Sequence, residues 1–465
     1  MQFSSAVFLI LFLPAVMFLY KIGRNLTCKN ITLLLASLLF YAWGEPEFVF
    51  VLAGGILFNY LAGIFMEKCT ASGKKYILIV SIAFNLGILI LYKYLCFILQ
   101  NLPGYPEMKI PNIHLPVGIS FYTFQIMSYI FDVYYGKAKA QKKFLHLALY
   151  ISMFPQLVAG PIIRYSAVEV EIRERHETGK DFSEGVSRFI RGLAKKILIA
   201  DFLGGIADKI FITAQYSDIA VLTAWCGALA YTFEIYYDFS GYSDMAIGLG
   251  RCFGFHFQEN FNYPYISRSV TEFWKRWHIS LTDWFRDYVY IPLGGNRVSR
   301  KRHIWNLFLV WLLTGIWHGA EWTFILWGMV WFLLQLFEKK TGIHRKLPAV
   351  PGYLLTMLLI TIGWVLFRAE NITTAFRFIG NMFFPFKGWY DASTLQYARN
   401  GAVVFILAYI GSFPCFRYLK ERMLSSCRGT LLYSIFDCVI SISLLFISLL
   451  VVINGLYSPF IYFNF

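Results

Sequence analysis

Charge is what this chain has least of. Asp, Glu, Lys and Arg make up 15% of its 465 residues, against about 25% in an ordinary globular protein. So little polar surface cannot cover the chain in water, and disorder, which needs the opposite balance, is excluded as well. Cysteine is sparse and scattered. None of Cys28, Cys69, Cys96, Cys226, Cys252, Cys415, Cys427 and Cys438 forms a C-x-x-C pair, which removes zinc ribbons, dithiol redox motifs and a disulfide scaffold. Also missing are the G-x-S-x-G elbow, the phosphate-cradling GxxxxGK[ST] and a dinucleotide-binding GxGxxG after a strand. No period of 20–50 residues repeats, and no Ser/Gly linker divides the chain.

What the chain has instead is apolar length. Apolar residues reach 58% and aromatics 19%, with 13 Trp, 30 Tyr and 46 Phe. Nearly charge-free runs cover 6–20, 31–43, 48–65, 77–92, 147–163, 219–236, 307–317, 324–337, 353–367, 401–413 and 431–453. A crossing helix needs roughly 20 apolar residues, with about 17 as the lower limit. The pattern predicts an all-α polytopic membrane protein of about eleven spans, the shorter runs being tilted, re-entrant or buried between others. Residues 1–465 read as a single membrane domain, with a polar, partly interfacial, cytoplasm-facing region at 164–302 and an outward tail at 457–465.

Cationic flanks fix the expected orientation, because they stay cytoplasmic. The first run has no basic residue before it and no small-x-small cleavage site after it, so it is not a secretion signal. Lys21, Arg24 and Lys29 follow it, Glu45 and Glu47 fill the next loop, and Lys68, Lys74 and Lys75 the one after. Further cationic groups at 137–143, 339–346 and 417–428 continue the alternation, which puts both termini outside a plasma membrane. The net charge of +15 is thus topological. It is spread over loops rather than gathered on a soluble face, so a nucleic-acid partner is excluded, whereas anionic membrane lipids fit.

The 164–302 region carries the polar features. Segment 169–180 (EVEIRERHETGK) reads as a solvated connector. Residues 182–201, with Arg188, Arg191, Lys195 and Lys196 beside Phe189, Leu193 and Ile197, predict an amphipathic helix on the membrane surface. In 267–290, Phe273, Trp277, Leu281, Trp284 and Tyr288 recur every three to four residues and predict one Trp-rich interfacial face. Lys275, Arg276 and Arg286 fall elsewhere on that helix. Interfacial anchoring does not explain His278 in its centre. His318, between Trp317 and Gly319 in an otherwise apolar stretch, is sharper still. An ionisable residue at membrane depth is costly and usually faces a cavity, a pathway or a partner, and neutral imidazole is the commonest general base. Two histidines without a carboxylate or cysteine at ligand spacing give no metal site. Asp238, Ser240, Ser243 and Asp244 either line a polar cavity or supply helix caps and a kink.

Six stretches taken together resemble the membrane-bound O-acyltransferase (MBOAT) family, in its bacterial branch that includes alginate O-acetylation. They are PVGISFYTFQIMSYIFDVYYG (116–136), FPQLVAGPIIRY (154–165), RGLAKKILIAD (191–201), YDFSGYSDMAIGLG (237–250), ENFNYPYISRSVTEFWKRWHISLTDWFRDYVYIPLGGNR (259–297) and LTGIWHGAEWTFILWG (313–328). The resemblance implies a ring of tilted and re-entrant helices around a central tunnel. It gives His318 the role of the family's invariant histidine and His278 that of the second one, on the cytoplasmic side. It implies no bound cofactor, acetyl-CoA as the donor substrate, an extracellular SGNH-like acetyltransferase as partner and a cell-surface polysaccharide as final acceptor. Lys275, Arg276, Trp277, Trp317, Asp238 and Ser240 are the accompanying expectations for donor binding and the tunnel.

The last residues, PFIYFNF, set Phe460, Tyr462 and Phe465 as F-x-Y-x-x-F. This resembles the terminal motif of the small peptide of teichoic-acid D-alanylation, whose tyrosine carries the acyl group. Tyr462 is therefore expected to be an acyl relay, the bland alternative being an aromatic interfacial anchor. Two other functions compete. D-alanyl transfer to teichoic acid is disfavoured by the 120–134, 160–165 and 286–297 stretches. A polysaccharide or acyl transporter is disfavoured by the lack of internal symmetry.

Overall fold

The computed structural model describes residues 1–103, 113–424, 427–455 and 459–461. Its elements are helices, with no strand among the described residues. Apolar runs in lipid leave no alternative, since each peptide N–H and C=O must be satisfied within its own segment. Four helices are long and apolar enough to cross a membrane: Phe48–Lys68, Ala71–Gln100, Ala349–Arg368 and Thr430–Ile453. Ala392–Gly411 and Cys415–Met423, bent by 57°, make a fifth if taken as one broken span. The chain is a multi-pass membrane protein, and several of the about eleven expected spans are shorter or more polar than a full crossing helix. Val7–Ile22 and Leu26–Ala42 are apolar but shorter, and Val221–Cys252, Arg300–His318 and Trp322–Thr341 carry polar or charged residues along their length.

The described chain forms two compact units. The first comprises Met1–Phe189 with Ser243–Glu259. Its centre is the Ile119–Tyr134 helix, buried at every position from Ile119 to Val133. Gly118 starts that helix with φ of 78°, and a Cβ there would come within 2.8 Å of the Leu157 carbonyl oxygen. Only glycine meets both demands. Helices Phe48–Lys68 and Ala71–Leu89 are tied by a reciprocal amide pair, Asn59 to Asn85 at 3.0 Å and back at 2.9 Å. Run 147–163 is not a span. Helix Phe144–Ser152 ends at Met153, one turn covers Phe154–Leu157, and the rest is non-helical. Every residue from Ile151 to Ile163 is buried, which is the condition for irregular backbone at membrane depth.

Segment 169–180 is exposed at most of its positions, as a solvated connector would be, but it is also tied down. Tyr165–Glu174 is helical, and Arg175 behind it is buried, donating through Nε to Tyr20 Oη at 3.1 Å and Phe253 O at 2.9 Å, and through Nη1 to Asn30 Oδ1 at 2.7 Å. Glu177 accepts from Tyr20 Oη at 2.6 Å and Lys29 Nζ at 2.5 Å. Charge density in sequence marks an internal staple here.

The second unit comprises Ile190–Tyr242 with Asn260–Phe465. Arg300–His318 and Trp322–Thr341 form a tight helical hairpin around two glycines. A Cβ on Gly328 would stand 2.5 Å from the Trp311 carbonyl oxygen, and one on Gly315 2.5 Å from that of Phe324. Such small residues let helix backbones approach in the absence of a hydrophobic drive between them. Segment 267–290 is three short pieces, Val270–Arg276, Ile279–Phe285 and Arg286–Tyr290, broken at Trp277–His278. Its aromatic face is turned into the protein rather than outward as an interfacial anchor. Phe273, Trp277, Leu281, Trp284 and Tyr288 are all buried in the protein. In 182–201 the helix does form, as Gly179–Ala194 continued by Lys195–Ala200, but Lys196 is only 2% exposed rather than on the membrane surface.

The glycine crossing generates a stability prediction. Gly328→Val should destabilise the protein by at least about 1–3 kcal/mol through overpacking. Gly205→Ala, at a helical position where a Cβ meets nothing within 4 Å, should stabilise it by about 0.5–1 kcal/mol. Thermal unfolding in detergent reads both.

Candidate active site

His278 owes its place to a backbone exception. It has φ of 45° and ψ of 55° and caps the Ile279–Phe285 helix. A non-glycine residue in this left-handed region is uncommon and costs free energy. The turn swings the imidazole inward, where it is 2% exposed. Asn260 holds it there, its Oδ1 lying 3.0 Å from His278 Nδ1, 3.2 Å from the Ser280 backbone nitrogen and 2.9 Å from Ser280 Oγ. With two other donors on that oxygen, Nδ1 must carry the proton, which leaves Nε2 with its lone pair. Burial pushes the imidazole down to about 3, so it is neutral in the physiological range. The Phe239 ring stands edge-on to it at 4.6 Å.

His318 closes the Arg300–His318 helix. It is 5% exposed and enclosed by rings, with centroids of Trp317 at 5.0 Å, Trp327 at 5.0 Å and Phe367 at 5.2 Å. Trp317 is common to both histidines, its indole lying 5.9 Å from the His278 ring. Behind them stands a tryptophan wall. Trp277 packs on Trp364 at 4.7 Å, and Trp274 on Trp311, Trp327 and Trp331 at 5.1–5.4 Å. The indole Nε1 atoms of Trp274, Trp327 and Trp331 are buried with no acceptor among the described residues.

The structure therefore brings His278, His318 and Trp317 together, with Trp277 one layer behind. The basic pair does not join them. Lys275 is exposed, and Arg276 is held by Glu272 Oε1 and Asn262 O, each at 3.0 Å. Asp238 and Ser240 are buried in the interior of the Val221–Cys252 helix, so they are not its caps. Asp238 forms an ion pair with Lys196 at 2.5 Å, and Lys196 reaches Asp201 at 2.8 Å. Tyr462 lies outside the described residues. Asn260, Ser280 and Phe367 were not foreseen. The Ser two residues after His278 is a signal for the first pair only in hindsight, since Asn260 is 18 positions away.

A helical, multi-pass chain with a buried site that sets two histidines among indole donors fits acyl transfer. A profile of the MBOAT, membrane-bound O-acyltransferase family, matches residues 137–367. The probable alginate O-acetylase AlgI of Pseudomonas aeruginosa is 42% identical over 424 residues, 88% of this chain and 80% of that protein. The peptidoglycan O-acetyltransferase of Helicobacter pylori is 34% identical over 419 residues, covering 82% and 79%. The teichoic acid D-alanyltransferase of Bacillus subtilis is 28% identical over 289 residues, covering 57% and 71%. This chain belongs to the membrane-bound O-acyltransferase family. It is an acyltransferase.

The Asn260 contacts predict a positioning effect. Asn260→Ala strands a buried donor, at a cost of about 1–3 kcal/mol, and frees the ring. We expect kcat for acyl transfer to fall roughly ten- to a hundredfold by that free energy. Asn260→Asp, which keeps an acceptor, should recover most of the rate. Steady-state kinetics on the two variants check this.

Proposed function

We propose that this acyltransferase O-acetylates a cell-surface polysaccharide, drawing acetyl from cytoplasmic acetyl-CoA. The observation that supports it most is the pairing of two buried, aromatic-enclosed imidazoles around Trp317 in a chain 42% identical to a probable alginate O-acetylase. The lower, 28% identity to a D-alanyltransferase favours acetate over D-alanine.

A thioester and an alcohol need one base and a stabilised oxyanion. In the proposed step, His318 takes the hydroxyl proton as the alcohol oxygen bonds to the thioester carbon. The negative charge on the carbonyl oxygen falls near the Trp327 indole N–H. The carbon–sulfur bond then breaks, and the imidazolium returns its proton to the leaving CoA thiolate. His278, fixed as the Nδ1–H form by Asn260, offers Nε2 as an acceptor beside Trp317. Tyr462 is the first alcohol in this scheme. It carries the acetyl ester outward, where an extracellular SGNH-like transferase collects it and passes it to the polymer. The scheme has both termini outside, as the cationic loops predict.

Mass spectrometry of the C-terminal peptide after incubation with isotopically labelled acetyl-CoA tests the proposal. A labelled ester on Tyr462 is expected in the wild type and neither in His318→Ala nor in Tyr462→Phe. Thioester cleavage that depends on His318 without labelling of Tyr462 would leave direct transfer to the sugar. Turnover unaffected by His318→Ala would overturn the role given to that histidine.

A further inference from the structure

Lys196 does more than neutralise carboxylates. Besides its pairs with Asp238 and Asp201, its Nζ donates to the Pro459 carbonyl oxygen at 3.0 Å and lies 4.7 Å from the centroid of the Phe460 ring. On the other side of Phe460, the Ile461 backbone N–H donates to Asp238 Oδ2 at 2.8 Å. Phe460 itself is 1% exposed and meets Tyr242 edge-to-face at 4.7 Å. The last helix, Cys427–Ile453, is fastened to the same part of the unit by Asp437, which pairs with Arg191.

Nothing in electrostatics requires this arrangement. One ammonium between two carboxylates is already well paired, yet each member of the Lys196–Asp238 pair spends a further hydrogen bond on backbone groups two residues apart in sequence. A cation and an anion thus grip the carbonyl of the residue before one ring and the N–H of the residue after it. The ring fixes the register, because a slip of one residue would put Pro459 or Ile461, neither of which has a π face, in its place. Asp238 adjoins Phe239, the ring that stands on His278.

We propose that Lys196 and Asp238 form a dock for the chain's own C-terminal segment, and that acyl transfer requires the segment to be seated there. Lys196 is then a positioning residue. This deepens the reading of Tyr462 as acyl relay, on which its catalytic half rests.

The test uses the full chain in detergent: wild type, Lys196→Met and Phe460→Ala. Hydrogen exchange of the C-terminal peptide reports seating, and CoA release from acetyl-CoA reports turnover. Both variants should speed exchange of the 460–461 amides at least tenfold and lower kcat at least tenfold, with KM for acetyl-CoA unchanged. Phe460→Ala leaves all three charges in place, so it answers the question even where Lys196→Met fails to fold. Exchange at the wild-type rate in Phe460→Ala would overturn the dock, and so would faster exchange with unchanged kcat. Normal turnover by Tyr462→Phe alongside an inactive Phe460→Ala would remove the relay and keep the dock. A Tyr462 ester formed at full rate in Phe460→Ala would remove the dock and keep the relay.

Discussion

At Lys196 a full positive charge is held where only 2% of the side chain meets solvent, between Asp238 and Asp201. Removing one partner of a buried pair strands the other, at roughly 3–5 kcal/mol, so the three residues must arrive together. That requirement fixes the Lys195–Ala200 turn against the Asp238 region of the long helix. The same helix presents Phe239, one residue on, to the His278 ring. Replacing such a triad with apolar residues is often neutral for stability. Stability alone is therefore a poor reason for its presence, whereas a geometric role is a good one.

The site depends on a second, smaller constraint. His278 pays for its left-handed backbone with the contacts that the turn makes possible: the Asn260 oxygen on Nδ1, and the next two backbone groups turned toward the same amide. A helix running straight through 267–290 would carry His278 on its own register and give it no fixed tautomer. Breaking the helix at that point trades helical hydrogen bonds for an oriented imidazole, and local strain of this kind clusters at working sites.

Much of this was legible from residue order. The helical class, the membrane setting and both histidines follow from composition and from the cost of an imidazole in an apolar stretch. The span count was not legible, because hydropathy reports how apolar a run is and not whether its neighbours let it bend. Run 147–163 is as apolar as a span, yet it breaks into two short helices and an irregular stretch sealed inside the first unit. Burial of charge was misread in the other direction. Arg175 and Lys196 look like surface cations by sequence, and their partners lie 145 and 42 positions away, as Asn30 and, from 238 − 196, Asp238. Local pattern carries no information over such separations. Asn260 was missed for the same reason, since an isolated amide has no periodicity to betray it.

The chemistry rests on which groups can wait in a dry site without charge. A carboxylate base at the position of His318 would need a permanent cation beside it, as Asp238 has in Lys196. Neutral imidazole has no such need and can be walled in by Trp317, Trp327 and Phe367. In the proposed step charge appears only during the reaction, as an imidazolium and an oxyanion formed together, and their attraction grows as water is excluded. Indoles suit the wall for the same reason. Each is apolar over most of its surface and brings a single N–H that can donate but is not a nucleophile. On that proposal the ring enclosure and the fixed charges of the Lys196 triad divide the labour: permanent charge holds structure, and transient charge is left to the histidine.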